Sequence, residues 1–90
     1  MRNIEKDVIR HKVIRIIKPY CINTPELTDK LNADCGIDSL DAMGISVDLE
    51  REFNIPLTYD DALDVRWCDA TVSDLTEDII NRVEQINKGL

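Results

Sequence analysis

Ser39 is the residue of this sequence best placed for covalent chemistry. It follows Gly36-Ile37-Asp38 and opens a stretch, through Phe53, whose apolar residues recur at helical spacing. A serine just after a glycine turn, in the first turn of an amphipathic helix, is exposed and cannot be absorbed into a core. Backbone N–H groups at a helix start are unpaired and favour a nearby anion. A phosphodiester on the Ser39 hydroxyl would therefore sit in a suitable field, although the carboxylates of Asp38 and Asp41 oppose it. Those carboxylates are candidates for helping a modifying enzyme hold its metal ion and orient the hydroxyl. An isolated Asp-Ser-Leu tripeptide is weak evidence, since serine is common at helix starts for capping reasons alone.

Other chemistry is thinly represented. His11, the lone histidine, reads as a surface residue, and no nucleophile–base pair is visible. Cys21, Cys35 and Cys68 are odd in number and widely spaced, without a C-x-x-C pair, so neither a zinc site nor a disulfide framework is suggested. The aspartates do not form a calcium loop: neither Asp38 to Asp48 nor the stretch from Asp60 gives alternating ligands with a mid-loop glycine.

The elements that must position Ser39 follow from periodicity and punctuation. Ile4, Val8, Ile9, Val13, Ile16 and Ile17 predict a helix over Asn3 to Lys18, ended by Pro19. Pro19 to Ile37 is a long connection with Pro25, Asn32, Asp34 and Gly36 as punctuation, and Glu26 to Leu31 is a candidate helical turn within it. Asp38 suits the N-cap of the second helix, Asp41 suits its first turn, and Ala42, Ile45, Leu49 and Phe53 define its buried stripe. Leu40, Met43 and Val47 widen the apolar surface, either as core or as a contact for partners. Gly44 is a local weakness in this helix. A short helix is expected over Asp60 to Val65. Thr71 with Asp74 predicts a capping-box start for the last helix, which carries Val72, Leu75, Ile79, Val83 and Ile86 and leaves Gly89 past its end. The expectation is an all-α fold, a small four-helix bundle of three main helices and one short one, forming a single domain over residues 1–90.

The order of residues around Ser39 resembles the acyl carrier protein family. Its hallmark is a leucine, an acidic residue and a glycine before Asp-Ser-Leu at a helix start, matched by Leu31, Asp34, Gly36, Asp38, Ser39, Leu40 and Asp41. Leu49-Glu50-Arg51-Glu52-Phe53, Ile55-Pro56 and Thr71-Val72-Ser73-Asp74-Leu75 resemble downstream motifs of the family, so the match spans nearly the whole chain. The resemblance implies that Ser39, flanked by Asp38 and Leu40, receives 4'-phosphopantetheine from coenzyme A through a phosphopantetheinyl transferase. The arm would carry acyl groups as thioesters to ketosynthases and other acyl-loading and acyl-transferring enzymes of fatty-acid, polyketide or related lipid metabolism. The carrier itself would catalyse nothing.

Partner contact is expected at Asp41, Met43, Val47, Asp48 and Glu50. The resemblance also suggests that an acyl chain tucks between the helices, with Ile45, Leu49, Phe53, Leu57, Leu63, Val72, Leu75 and Ile79 as lining or as ordinary core. Three positions depart from the pattern. Cys35 replaces an apolar residue and packs as a small hydrophobe; Gly44 removes a side chain and Arg51 reverses a sign on a face the family keeps acidic. A dedicated partner set is therefore expected in place of the housekeeping synthase. Carriers of peptidyl, aryl or D-alanyl cargo are the nearest alternatives, with Asp38 favouring acyl cargo. An unmodified helical interaction module is the alternative from another class.

Charge and composition fit a carrier that meets basic proteins. The formal net charge of −7 is uneven: residues through Lys18 carry +4, and those from Pro19 onward carry −11. Such acidity disfavours nucleic acid and attracts basic protein patches. The basic start is interrupted by Glu5, Asp7 and His11, unlike a signal peptide, and no apolar run reaches membrane-spanning length. A monomer in the reducing cytoplasm is the expectation.

Overall fold

The structure, a computed structural model, describes residues 3–55 and 70–89. Three α-helices account for most of them: α1 (Asn3–Ile17), α2 (Ser39–Phe53) and α3 (Val72–Gly89). The expected short helix over Asp60 to Val65 lies outside the described residues, as do Leu57, Leu63, Trp67 and Cys68. Among the described residues the only β pairing is an isolated antiparallel bridge, Lys30 with Thr71.

Each helix buries one stripe. From α1, Ile9, Val13 and Ile17 step by four onto the core, whereas Val8 stays exposed and Ile16 is half-buried. Ala42, Ile45 and Leu49 come from α2, with Phe53 packed against the cluster, and Val72, Ile79 and Ile80 come from α3. Burying an aliphatic side chain contributes about 1.5–3 kcal/mol, so these stripes fix how the helices meet. The proposed acyl lining thus belongs, where it is described, to one packed cluster with Leu75 at its edge.

Pro19 closes α1 by a specific route. The chain tightens into a 3-10 turn over Lys18–Tyr20, where the missing N–H of proline does no harm in the first turn. Cys21 N–H then donates to Lys18 O at 3.0 Å.

The long connection to α2 is not helical over Glu26 to Leu31. Asp29 N–H donates to Glu26 O, a single turn, and the Asp29 carboxylate accepts Glu26 N–H at 2.9 Å. The backbone then extends to pair with the start of α3: Leu31 N–H donates to Ala70 O and Val72 N–H to Asp29 O, both at 2.9 Å. Bridge pairing at Lys30 demands extended backbone, which overrides the local helical tendency. Beyond it, Leu31, Cys35 and Ile37 are buried, so the connection is core-anchored. The last helix also differs in one detail: it runs through Gly89. Among the described residues, the left-handed conformation that makes a helix stop belongs to Asn54, the C-cap of α2, and to Gly36.

Candidate functional site

Gly36 turns the chain into α2. Its φ of +76° lies in the left-handed region, and an added Cβ would meet Ile22 Cδ1 at 2.6 Å. Asn32 braces the turn by donating from Nδ2 to Ile37 O at 2.9 Å, and the Asp34 carboxylate accepts Lys30 N–H at 2.7 Å. Asp38 follows in extended conformation as the N-cap. Its Oδ1 accepts Asp41 N–H at 2.8 Å, and Asp41 Oδ2 accepts Asp38 N–H at 3.2 Å, a reciprocal capping box. Both carboxylates are thereby oriented on the backbone, with one oxygen of each outside the box.

Ser39 is the first residue of α2 and is exposed. Its hydroxyl has no hydrogen-bond partner among the described residues, and the N–H groups of Ser39 and Leu40 likewise lack acceptors there. The chain has three serines, and the others are differently employed. Ser46 is buried and donates to Ala42 O at 2.8 Å. Ser73 is half-buried at the start of α3, tied by its N–H to Leu27 O. Ser39 therefore presents an exposed hydroxyl beside two amide dipoles, none of them engaged by a described residue. That arrangement fits a covalently attached phosphodiester.

The expected contact residues divide between two flanks of α2. At about 100° per residue, Met43, Val47 and Glu50 share one flank, and Asp41 and Asp48 share the flank facing α1. Leu40, Met43 and Val47 are 75%, 43% and 44% exposed, so they extend the surface beside Ser39 and not the core. Glu50 is half-buried and engaged. Asp48 accepts a hydrogen bond from the phenol of Tyr20 at 3.2 Å.

Tyr20 is a participant that periodicity missed. The 3-10 turn swings it over α2 above Gly44, where an added Cβ would lie 2.7 Å from its Oη. The space left by the side chain that Gly44 lacks is thus filled by Tyr20. The usable signal was the glycine itself: inside a helical pattern it marks close approach. Partial burial and the bond to Asp48 push the Tyr20 phenol up from its ordinary range.

A second unforeseen contact joins Cys21 and Cys35. Ile22 N–H donates to Cys35 O at 3.0 Å, which sets the two free thiols side by side under the Gly36 turn. Burial pushes Cys21 up to about 12, and Cys35 is raised for the same first reason. Cys35 is buried as a small hydrophobe, as expected, and Cys21 Sγ donates to Ile17 O at 3.2 Å.

Residues 11–79 match the protein family described as phosphopantetheine attachment site. The chain belongs to that family. A relative named "Acyl carrier protein, mitochondrial" from Saccharomyces cerevisiae is 32% identical over 77 residues, covering 78% of this chain. This carrier domain spans 62% of that relative's length. No solved structure matches it.

Proposed function

We propose that this carrier domain is loaded at Ser39 and holds acyl groups for partner enzymes of fatty-acid or related biosynthesis. The observation that carries this is the contrast among its serines: only Ser39 combines exposure, a hydroxyl without a partner among the described residues and a helix-start amide field. A phosphopantetheinyl transferase would supply the group from coenzyme A. Bound there, the group supplies a thiol that holds acyl chains as thioesters. The protein's own residues do the positioning. Gly36 lifts Ser39 clear of the core, the Asp38–Asp41 box fixes the helix start, and Leu40, Met43 and Val47 offer partners an apolar contact. The domain carries and does not catalyse.

Acyl cargo is favoured over peptidyl cargo because Asp38 precedes Ser39 and because the yeast relative bears the acyl carrier name. Arg51 and the Tyr20-covered Gly44 change the surface a partner reads, which supports a dedicated partner set. Mass analysis of the protein purified from its own source tests the reading. The expected result is a phosphopantetheine-bearing species with an acyl thioester that hydroxylamine removes. A wholly unmodified protein would instead favour an interaction module.

A further inference from the structure

The groove between α1 and α2 holds two guanidiniums that no described residue satisfies. It has a volume of about 250 Å3 and is lined by Lys12, Arg15, Ile16, Asp48, Arg51 and Glu52. Three of its charged groups, Lys12, Glu52 and Asp48, have partners close by. Lys12 Nζ lies 3.6 Å from Glu52 Oε1, and Asp48 takes the Tyr20 phenol. Arg15 and Arg51 are exposed and make no hydrogen bond or ion pair with any described residue. A guanidinium offers five donors in a planar fork and is weakly hydrated, so two of them in one groove, neither paired with a described residue, are suited to a carboxylate.

The position of Arg51 ties this groove to the surface around Ser39. At about 100° per residue, Leu40, Val47 and Arg51 fall in one line along α2, and Arg51 lies roughly 18 Å from Ser39 along the axis. A protein partner lying over Leu40 and Val47 reaches Arg51 within the footprint of an ordinary interface, about 800 Å2 per side.

We infer that Arg15 and Arg51 anchor an acidic side chain of a partner protein, so that a partner visiting Ser39 presents a carboxylate to the α1–α2 groove as well as an apolar patch to Leu40, Met43 and Val47. This rests on the carrier reading above. Charge complementarity selects the occupant. An anionic membrane would meet Asp41 and Asp48 on the same flank and a chain of net charge −7. A free phosphate would meet Asp48 and Glu52 in the groove itself. A single carboxylate carries one negative charge where a phosphate carries more, so it meets less repulsion from those two acids.

The test is an NMR titration of the full chain with an amphipathic helical peptide of glutamate and leucine. Saturable amide shifts are expected on Lys12 to Ile16 and Asp48 to Glu52, with affinity falling about tenfold in R15E/R51E and partly retained in R15K/R51K. Equal binding by R15E/R51E overturns the inference. So does an equal response to the lysine version of the peptide, or a response only to phosphatidylglycerol vesicles. Intact mass of the same variants after treatment with transferase and coenzyme A reads the carrier assignment separately. An unmodified wild type would sink that assignment while leaving the groove's peptide binding measurable.

Discussion

Two helices of this protein begin with a reciprocal capping box. At α2, Asp38 and Asp41 exchange backbone hydrogen bonds at 2.8 and 3.2 Å; at α3, Asp74 N–H donates to Thr71 Oγ1 at 3.1 Å and Thr71 N–H to Asp74 Oδ2 at 3.0 Å. The residue after each cap differs completely. Ser39 and its neighbour Leu40 are exposed, while Val72 is fully buried and Ser73 half-covered. The cause lies before the caps. Gly36 bends the chain so that α2 starts at the surface, whereas the Lys30–Thr71 bridge presses the start of α3 into the core. Capping fixes where a helix starts; the approach of the chain decides whether that start is a site.

The sharpest way to break this comparison is at the first helical residue. Val72→Ala removes two buried carbons and should cost about 2 kcal/mol, whereas Ser39→Ala should change stability by less than about 0.5 kcal/mol. Urea denaturation measures both, and equal costs would mean that the two starts are equally buried. Next comes the turn. Gly36→Ala forces a side chain into left-handed backbone and should cost about 1–2 kcal/mol, with Ile22 swinging aside because it is exposed. In a domain of this size that lowers the melting temperature by several degrees.

Asp38→Ala and Thr71→Ala should each cost about 1 kcal/mol of stability as lost caps. Only Asp38→Ala should also slow modification of Ser39, measured by mass against time. Undiminished modification would remove Asp38 from the loading step and leave it a cap. The smallest effect is alkaline. Cys21 is raised in the folded state, so its contribution is complete below the ordinary thiol value near 9 and is lost as pH rises toward about 12. Stability differences between wild type and Cys21→Ala should therefore shrink over that range. A difference that stays constant with pH would place the Cys21 thiol in an unshifted, solvated setting.

The α2 start was legible in the sequence because local rules coincide there: glycine for the turn, aspartate for the cap, and a stripe from Ala42 to Leu49 facing inward. The Thr71–Asp74 box was legible for the same reason. What escaped were contacts between residues far apart in the chain. Tyr20 over Gly44 depends on how Pro19 turns α1, and pairing of Lys30 with Thr71 joins positions whose own propensities say nothing of each other. The extended geometry at Lys30 also explains why the helical turn expected over Glu26 to Leu31 gives way. Cys21 and Cys35 are fourteen residues apart and meet only because both bracket one core-anchored loop.

The most direct measurement of the central claim compares the three serines in one reaction. Wild type, Ser39→Ala, Ser46→Ala and Ser73→Ala are incubated with a phosphopantetheinyl transferase and coenzyme A, and intact mass and tryptic fragments are recorded. The account predicts one phosphopantetheine group on the Leu31–Arg51 fragment of wild type, its complete loss in Ser39→Ala, and its retention in Ser46→Ala and Ser73→Ala. A modified Ser39→Ala protein, or a wild type that gains no mass, would contradict it.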